Sequence, residues 1–383
     1  MAGRTIFVSE LDHGDAYIVI KKILLTLACT GLCCLLLGAQ GNDKDKDKDK
    51  DKAQDKDSDT LRSYADKMNF WVGATIQGKL FPDPEFQQTL GREFNSGVSF
   101  VLMHLTQPQK GQYNFGSMDR DIKYARAHNM KLFGQALIYR NEHSPDWLAF
   151  RNGGCNMSAD QTDRLMKEHI QSVVRHGGDT YYGWEVVNES TLPQGNGCWS
   201  KILGREPMIA KAFQYAREAS PDSMLLLNET FGRNGVDKNR VDDFFKMVES
   251  LKSHGAPIDA VGAEMHLEAD KLRPDYLREF QYFLDRARKA NVQAMVTEMD
   301  VYQGHPGSFP DAFAHQKEIF YNVAHACLKD SNCKGFTVWG LSDKGSWQPT
   351  WAGITDTKPL LFDESYQKKP AYFGLLQALK EGR

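Results

Sequence analysis

The chain has 383 residues, of which 41% are hydrophobic and 25% are charged, and its formal net charge is −3. This near-neutral charge argues against a general nucleic-acid binder, which normally carries a strong excess of basic residues. A mean hydropathy of −0.52 excludes a protein with many membrane spans. The composition therefore indicates a soluble enzyme or a binding protein, and it does not distinguish between them.

The N-terminal segment has the pattern of a secretory leader. Two lysines precede an apolar run that ends in small residues, so we predict a signal peptide at residues 21–41 with cleavage after Ala39. Residues 1–20 form an N-terminal extension that this pattern does not explain. A retained membrane anchor, or a lipid on one of three cysteines, is the alternative: Cys29, Cys33 or Cys34. In either case the protein is expected to be secreted or tethered to the cell surface.

A run of alternating aspartate and lysine follows the leader. Residues 43–59 hold eight Asp and six Lys, and such a stretch has nothing to bury. We predict a disordered tether over residues 42–59, with ion binding or partner recognition as the alternative. The remaining residues, 60–383, have the length of one barrel domain with loop insertions.

Four cysteines lie in the predicted domain. Cys327 and Cys333 are close enough in sequence to close a small loop, and Cys155 and Cys198 would then join two loops. An even cysteine count behind a secretion signal favours disulfides over metal binding, and the sequence has no Cys-x-x-Cys motif or histidine cluster with ligand spacing. We therefore predict two disulfides, no metal and no cofactor.

Short apolar or β-branched runs alternate with amphipathic stretches along the domain. The predicted strands are Phe70–Ile76, Val98–His104, Lys131–Tyr139, Tyr182–Asn188, Ser223–Asn228, Asp259–His266, Gln293–Asp300 and Gly335–Asp343. The predicted helices between them include Met118–Asn129, Gln161–His176, Pro207–Glu218, Val241–His254 and Asp275–Ala290. Eight strands alternating with helices predict an α/β fold of the (β/α)8 TIM-barrel type, a single catalytic domain with its chemistry at the carboxyl ends of the strands.

Two glutamates lie at such strand ends. Side-chain alternation places Glu185 and Glu189 on one face of strand four, and Glu298 and Asp300 on one face of strand seven. If Glu189 and Glu298 point inward, they face each other across the barrel mouth. Glycoside hydrolysis requires such a pair, with one acid to protonate the leaving oxygen and one carboxylate opposite it. The alternative is that both glutamates form ordinary ion pairs.

Other residues near the same strand ends are candidates for sugar binding. His266 ends strand six, Trp339 lies in strand eight and Trp347 follows it. Aromatic faces suit the apolar faces of pyranose rings, although a tryptophan in a strand can equally belong to the core. The sequons at Asn188 and Asn228 fall on strand ends and are interpreted as accidental, which leaves one loop sequon as a candidate glycan acceptor: Asn156.

Several motifs of the chain resemble glycoside hydrolase family 10, the family best known for endo-β-1,4-xylanases. The likeness covers roughly residues 70–378. It rests on QPQKGQYNF (107–115), WEVVNES (184–190), TEMDV (297–301), GFTVWGLSDKGSW (335–347), PLLFDESYQKKPAYFGLLQAL (359–379) and the Cys327/Cys333 pair.

The resemblance implies a retaining, double-displacement mechanism. Glu298 matches the family's nucleophile, and Glu189 matches its acid/base. Asn188 would bond the 2-hydroxyl of the sugar, and His266 would hydrogen-bond the nucleophile. Retention requires the two carboxyl groups to lie ~5–5.5 Å apart. No cofactor is implied.

The chain also departs from the family pattern around the sugar. Strand two lacks the usual Glu-Asn and Lys-Trp, and at best His104 stands near the lysine position. The family's inward His and Trp on strand three are replaced, and the strand-six Gln and strand-four Asp become glutamates. The residues at these departures are Glu185 and four that we also expect to bind the substrate: Gln135, Tyr139, Arg140 and Glu264. The sugar pocket is therefore expected to be more acidic than usual, unless Arg140 reaches it.

The leading prediction is an endo-1,4-β-xylanase, a retaining β-glycoside hydrolase that cleaves a plant-type polysaccharide. One alternative is a family-10-like glycosidase for another β-glycan. A second is a catalytically weak, carbohydrate-binding barrel. The expected partner is a polysaccharide or oligosaccharide, with no nucleic acid and no obligate protein partner, and the chain is expected to be a monomer.

Overall fold

The computed structural model describes residues 59–304, 308–347 and 357–383. The predicted extension, the signal and all of the predicted tether except its last residue lie outside the described residues, and those predictions stay predictions.

Eight parallel strands close into a barrel in which each strand pairs with the next along the chain and β8 pairs with β1. The strands are β1 (Trp71–Thr75), β2 (Ser96–Phe100), β3 (Lys131–Gln135), β4 (Tyr181–Asn188), β5 (Met224–Thr230), β6 (Ala260–Glu268), β7 (Gln293–Tyr302) and β8 (Cys333–Val338). The predicted (β/α)8 fold is confirmed.

Helices connect the strands, and each of the five predicted helices forms with ends within three residues of the prediction. The helices of the described residues are α1 (Leu61–Lys67), α2 (Pro84–Glu93), α3 (Met103–Thr106), α4 (Gly116–Ala127), α5 (Ala159–Gly177), α6 (Cys198–Leu203), α7 (Arg205–Ala219), α8 (Lys238–Ser253), α9 (Tyr276–Lys289), α10 (Ala312–Lys329) and α11 (Pro370–Glu381). In the part of the chain that the structure describes, no helix is both long enough and apolar enough to cross a membrane.

Helix α5 illustrates how local sequence sets these boundaries. The Ser158 hydroxyl accepts a hydrogen bond from the backbone N–H of Gln161, and the Gln161 side chain accepts one from the N–H of Ser158, which is a capping box. Gly178 follows the helix with a φ of 58°, a conformation that glycine adopts without steric cost. Apolar residues at helical spacing are buried between these ends: Met166, Ile170, Val173 and Val174.

Strands β2 and β3 are shorter than predicted. The chain after β2 turns into α3, where the backbone N–H of Thr106 bonds to the carbonyl of Leu102 instead of to a neighbouring strand. The prediction that His104 lies in a strand is therefore wrong. Pairing with β4 is interrupted after Gly134 and resumes where the N–H of Leu137 bonds to the carbonyl of Glu185. Strand β8 ends at Val338, earlier than predicted, because the following residues form loop structure.

Two disulfides, Cys155–Cys198 and Cys327–Cys333, form as the sequence predicts. The first joins the loops that follow β3 and β4, and the second joins the end of α10 to the start of β8. Residues 198 and 327 are fully buried, so both bonds are anchored in packed structure.

We expect the two disulfides to differ in their effect on stability. Their partners are 43 and 6 residues apart, and a longer closed loop restricts the unfolded chain more. Replacing both Cys155 and Cys198 with serine should lower the free energy of unfolding by about 4 kcal/mol, against about 2 kcal/mol for the same change at Cys327 and Cys333. Urea denaturation of the two double variants measures this difference, and equal losses would contradict the expected dependence on loop length.

Candidate active site

A cavity of about 520 Å³ opens at the carboxyl ends of the barrel strands. All ten residues predicted as catalytic or substrate-binding line it, including Glu189 from the end of β4 and Glu298 from β7. Among the described residues, six more line it: Phe100, Leu102, His143, Gln194, Thr230 and Arg233. His104 does not line the cavity, and its ring nitrogen Nδ1 lies 3.1 Å from the carbonyl oxygen of His143.

Glu298 is held by a series of hydrogen bonds and an ion pair that runs across the strand ends. Its Oε2 lies 3.0 Å from Nε2 of His266, and Nδ1 of the same ring lies 3.0 Å from Oδ1 of Asp300. The indole N–H of Trp347 donates to the other oxygen of Asp300 at 2.7 Å. Strands β6 and β7 bring these groups together, because residue 266 pairs in register with residue 300. These contacts fix the position of Glu298 relative to the Trp347 side chain.

The charge of His266 follows from these contacts. Burial alone would lower the pKa of its imidazole, but the charges and hydrogen bonds of Asp300 and Glu298 raise it to about 9. The ring is therefore an imidazolium at neutral pH, with its Nε2 bonded to Glu298 and its Nδ1 in an ion pair with Asp300. A positive charge beside Glu298 favours the ionised carboxylate that a nucleophile requires.

We expect this arrangement to make stability depend on pH. The pKa of His266 is about 9 in the folded state and about 6.5 ordinarily, so its stabilisation is fully present below pH 6.5 and is lost as the pH rises to 9. The change amounts to about 3 kcal/mol. Asp300→Asn removes the main partner, so the gap in unfolding free energy between wild type and variant should be large at pH 6 and small above pH 9.

Denaturant unfolding across this pH range is the measurement. Asp285→Asn is the matched control, because Asp285 lies on the exposed side of α9 and pairs with Arg288. A gap between the wild-type protein and Asp300→Asn that stays constant from pH 6 to pH 9 would show that His266 does not carry the charge assigned to it.

Asn228, at the carboxyl end of β5, connects the two predicted catalytic strands. Its Nδ2 lies 3.1 Å from Oδ1 of Asn188, 3.1 Å from Oε1 of Glu264 and 3.2 Å from Oε1 of Glu298. The Thr297 hydroxyl donates to Oδ1 of Asn228 at 2.6 Å, which fixes the orientation of the amide. Space for this amide depends on a glycine at position 262, where a Cβ would clash with Oδ1 of Asn228.

Glu189 follows the last residue of β4 in an uncommon backbone conformation. Its φ is 50°, in the left-handed region that few non-glycine residues adopt, and its N–H donates to the carbonyl of Asn228 at 3.0 Å. The side chain is buried, and its Oε2 contacts the guanidinium of Arg140. Arg140 also lies 3.8 Å from Oε1 of the exposed Glu142. Arg140 therefore reaches the cavity, and its positive charge offsets the acidity that the sequence predicts for the pocket.

Two more carboxyl groups lie at the cavity, Glu264 in its lining and Glu185 behind it. Glu185 and Glu264 are almost fully buried, and the side chain of Gln135 hydrogen-bonds to Glu185. Burial first, and then the charge of Glu298, raise the pKa of both groups well above the ordinary range for glutamate. Burial also raises the pKa of Glu298, but the hydrogen bond and charge of His266 oppose that rise. The three carboxyls therefore differ in how well their ionised forms are stabilised.

Aromatic side chains form another part of the wall. Trp339 and Trp347 are half-buried and do not belong to the hydrophobic core, so their faces are available in the cavity. Trp339 packs edge-on against Phe100 at 5.7 Å between ring centroids, and the guanidinium of Arg233 lies 5.4 Å from the Trp347 ring. Tyr139 stacks on His143 at 4.5 Å. This wall offers flat apolar surfaces beside the polar groups of the strand ends.

Glu264, His266 and Glu298 have the spacing of metal ligands within the described ranges. Nε2 of His266 lies 3.0 Å from Oε2 of Glu298, and Nδ1 lies 3.0 Å from Oδ1 of Asp300, so both ring nitrogens already face carboxylates. The imidazolium thus supplies the positive charge that a metal ion would otherwise bring to these carboxylates. We assign the cluster to hydrogen bonding.

Residues 60–378 match the sequence model described as glycosyl hydrolase family 10. The chain belongs to this family. Among curated family relatives, endo-1,4-β-xylanase B of Thermotoga neapolitana is 29% identical over 335 residues, which cover 84% of this chain and 92% of the relative. The exoglucanase XynX of Acetivibrio thermocellus is 30% identical over 314 residues, covering 78% of this chain and 27% of that longer protein.

A solved structure gives the same result for the fold. The crystal structure of xylanase 10B from Thermotoga petrophila RKU-1 in complex with xylobiose superposes with a TM-score of 0.75 at 27% identity, covering 84% of this chain and 97% of that one. This family 10 chain thus spans nearly the whole length of two xylanases and about a quarter of the exoglucanase.

Sequence reasoning missed several residues of this family 10 site. Asn228 was set aside as part of an accidental sequon, although its place at the end of β5 between β4 and β6 was a usable signal. Asp300 shares the strand face of Glu298, and that alternation could have identified it as a partner of His266. Arg233 and Phe100 carried no signal, because the loop after β5 and the early end of β2 bring them to the cavity.

Proposed function

We propose that this family 10 chain is a retaining β-glycoside hydrolase, with Glu298 as nucleophile and Glu189 as acid/base. One observation carries the proposal: both carboxyl groups line a single cavity, from the ends of β4 and β7, and His266 supports the ionised form of Glu298. A retaining mechanism needs one carboxylate that attacks and one carboxyl group that exchanges a proton.

The proposed reaction has two steps. In the first, Glu298 attacks the anomeric carbon, Glu189 gives its proton to the glycosidic oxygen, and the bond to the leaving sugar breaks as an ester to Glu298 forms. In the second, Glu189 takes a proton from water, the water oxygen attacks the anomeric carbon and the ester bond breaks. When Glu189 holds its proton, its other carboxyl oxygen can still accept a hydrogen bond from Arg140.

We propose a β-1,4-xylan as the substrate, because the similar proteins named above include xylanases and one of them holds xylobiose. The Trp339 and Trp347 rings support this assignment, since their faces can pack against the apolar faces of a sugar. Asn188, with its Oδ1 held by Asn228, is placed to present its Nδ2 to a sugar hydroxyl. An unsubstituted xylan carries little charge, which fits a cavity where Arg140 and Arg233 already contact carboxylates.

A second candidate is a glycosidase that prefers another β-glycan. Phe100 and Leu102 form an apolar patch on the β2 side of the cavity, where the family usually places polar residues. A site that lacks partners for a sugar hydroxyl discriminates against the sugar that carries it. The similarity to an exoglucanase also supports testing glucans.

The decisive experiment is hydrolysis of a panel of xylan, mixed-linkage glucan, cellulose and aryl β-glycosides, with product analysis. We expect xylan to be cleaved to short xylo-oligosaccharides by the wild type and not by Glu298→Ala. Faster cleavage of a glucan would favour the second candidate. Binding of xylan by both proteins without hydrolysis by either would leave only a carbohydrate-binding barrel.

We also propose that the protein is exported, to the medium or to the cell surface. The two disulfides of the described domain support export, because such bonds persist in oxidising compartments. Fractionation of producing cells, followed by mass determination of the N-terminus, tests this proposal. An N-terminus near residue 40 would indicate a cleaved signal peptide, and a protein found only inside the cell would contradict export.

A further inference from the structure

The buried carboxyl groups under the cavity pose a problem of charge. Glu185, Glu264, Glu298 and Asp300 are all buried at the ends of β4, β6 and β7. Placing several ionised carboxylates in one low-dielectric region costs much more than pairing each with a cation. Each of these groups can ionise only if a cation or a hydrogen-bond donor lies close enough to stabilise its charge.

The nearby cations already contact other carboxylates. His266 bonds both Glu298 and Asp300, and lies 3.9 Å from Glu264. Three arginines face the region, each with its own closer partner: Arg140 with Glu189, Arg233 with Glu268, and Arg240 with Glu229. One imidazolium is thus shared among three carboxyl groups. Four ionised carboxylates around it would leave a large uncompensated negative charge.

The Asn228 amide also offers fewer hydrogens than the oxygens around it can accept. An amide NH2 group has two hydrogens, yet Nδ2 of Asn228 lies within hydrogen-bond distance of three acceptors, on Asn188, Glu264 and Glu298. Thr297 fixes the amide in this orientation. If both Glu264 and Glu298 were ionised, one of these three acceptor oxygens would receive no hydrogen from the Asn228 amide. A proton on one of the carboxyls supplies the missing donor.

We propose that Glu264 is a neutral carboxylic acid in the resting protein and that it supplies a hydrogen to the oxygen cluster it forms with Glu298. The strand register places residue 264 directly beside residue 298, and one oxygen of each lies within 4.8 Å of the other and of His266. Glu298 is the better candidate for ionisation, because it has the closer bond to the imidazolium. Glu264 is then a positioning residue that holds the nucleophile without adding a negative charge.

Other groups around Glu264 shift its pKa in opposite directions. Burial, Glu298, Glu185 and Glu229 raise the pKa of Glu264, and Arg140 lowers it. Tyr139 and Arg233 also face it electrostatically, from the loops after β3 and β5. The neutral form therefore has a definite upper pH limit. Above that limit Glu264 ionises, and its charge then opposes the charge of the nucleophile.

Linkage between folding and protonation tests the proton on Glu264 without using enzyme activity. The group would be neutral when folded and ionised when unfolded at pH 7, so unfolding releases one proton and stability falls as the pH rises. Glu264→Gln keeps the shape and removes that proton. We expect the slope of unfolding free energy against pH, between pH 6 and pH 8, to become less negative by about one proton.

Glu268→Gln is the matched control, because Glu268 is also a β6 glutamate but pairs with Arg233 and Lys271. Its slope should equal that of the wild type. If Glu264→Gln also keeps the wild-type slope, Glu264 is ionised when folded and the proposal is wrong. Should that variant fail to fold, a carbon-13 NMR titration of the assigned Glu264 carboxyl in the wild type decides instead, since a neutral carboxyl at pH 7 supports the proposal and an ionised one overturns it.

The positioning role rests on the proposed function and needs a kinetic test. An amide can supply the hydrogen that a protonated Glu264 supplies, whereas alanine cannot. On a substrate that the wild type cleaves, we expect kcat of Glu264→Gln to exceed that of Glu264→Ala by at least tenfold. Equal kcat values would overturn the positioning role. Absence of hydrolysis in the wild type would instead overturn the proposed function, while the stability slope would still report on the proton.

Discussion

Replacing Glu298 with alanine is expected to reduce kcat for glycoside hydrolysis by ~10⁴-fold or more, which is the scale of loss when a hydrolase loses its covalent nucleophile. The variant cannot form the ester with the sugar, so the first step of the proposed reaction has no attacking group. Its fold should persist, because the Glu298 side chain lines a cavity and its loss leaves that space open to solvent.

Azide provides a chemical control for this variant. In Glu298→Ala the anion can enter the space vacated by the carboxylate and attack the anomeric carbon from the same side, while Glu189 protonates the leaving aryl oxygen. The expected product is an α-glycosyl azide, identified by its anomeric proton coupling. Glu298→Gln keeps the volume of the side chain and should be equally slow without accepting azide. Full wild-type turnover by either variant would show that another group is the nucleophile.

Removing Glu298 should also change the charge balance around the His266 imidazolium. In the wild type its positive charge is balanced by Glu298 and Asp300, which lie on either side of the ring. Removing Glu298 leaves Asp300 as the main partner, so the imidazolium should lose part of its stabilisation. A lower pKa of His266 in Glu298→Ala, measured by NMR titration, would follow from this change.

Much of this fold could be predicted from the sequence because a parallel barrel repeats a simple pattern. Buried strands such as β6 begin with apolar or small residues, and amphipathic helices such as α5 carry their own capping residues. Strand ends were less predictable. Leu102 and Ala136 extend apolar runs in the sequence, but α3 and the interruption after β3 take the chain out of regular pairing. Tertiary hydrogen bonding decides those ends, and a one-dimensional pattern does not contain it.

The site residues likewise divide into those that a local pattern predicts and those that depend on the tertiary fold. Alternation along a strand predicted that Glu298 faces the cavity, since a strand has a fixed two-residue period. Glu189 was predicted by the same rule, although it lies beyond the last residue of β4 with a φ of 50°. The contact between Arg140 and Glu189 depends on the path of the loop after β3, which no local pattern specifies. The role of Asn228 depends on three strands meeting, and it emerges only from the closed barrel.

The departures from the family pattern acquire a physical meaning in this arrangement. The family's glutamine and aspartate at two buried positions are glutamates here, Glu264 and Glu185. A neutral carboxylic acid can donate and accept hydrogen bonds much as an amide does. The substitution of a carboxyl group for an amide at position 264 therefore preserves the local hydrogen bonding, but only below the pH at which the acid ionises.

Replacing Glu189 with alanine should reduce hydrolysis of a polysaccharide by about 10²–10⁴-fold, the usual contribution of a general acid/base. The effect should depend on the leaving group. A sugar leaves as a poor alkoxide and needs the proton of Glu189, whereas an activated aryl group leaves without it. On an aryl glycoside with a good leaving group, the variant should therefore form the glycosyl-enzyme at a rate near that of the wild type and then accumulate it, because no base activates water.

Azide again distinguishes the two roles. In Glu189→Ala it should attack the glycosyl-enzyme from the face opposite to Glu298, restore turnover and give a β-glycosyl azide, the opposite anomer to the Glu298→Ala product. Glu142→Ala is the matched control, since Glu142 is exposed and shares the contact with Arg140 but does not line the cavity. A leaving-group-independent loss in Glu189→Ala would contradict the acid role, because protonation of the departing oxygen matters only when that oxygen is a poor leaving group.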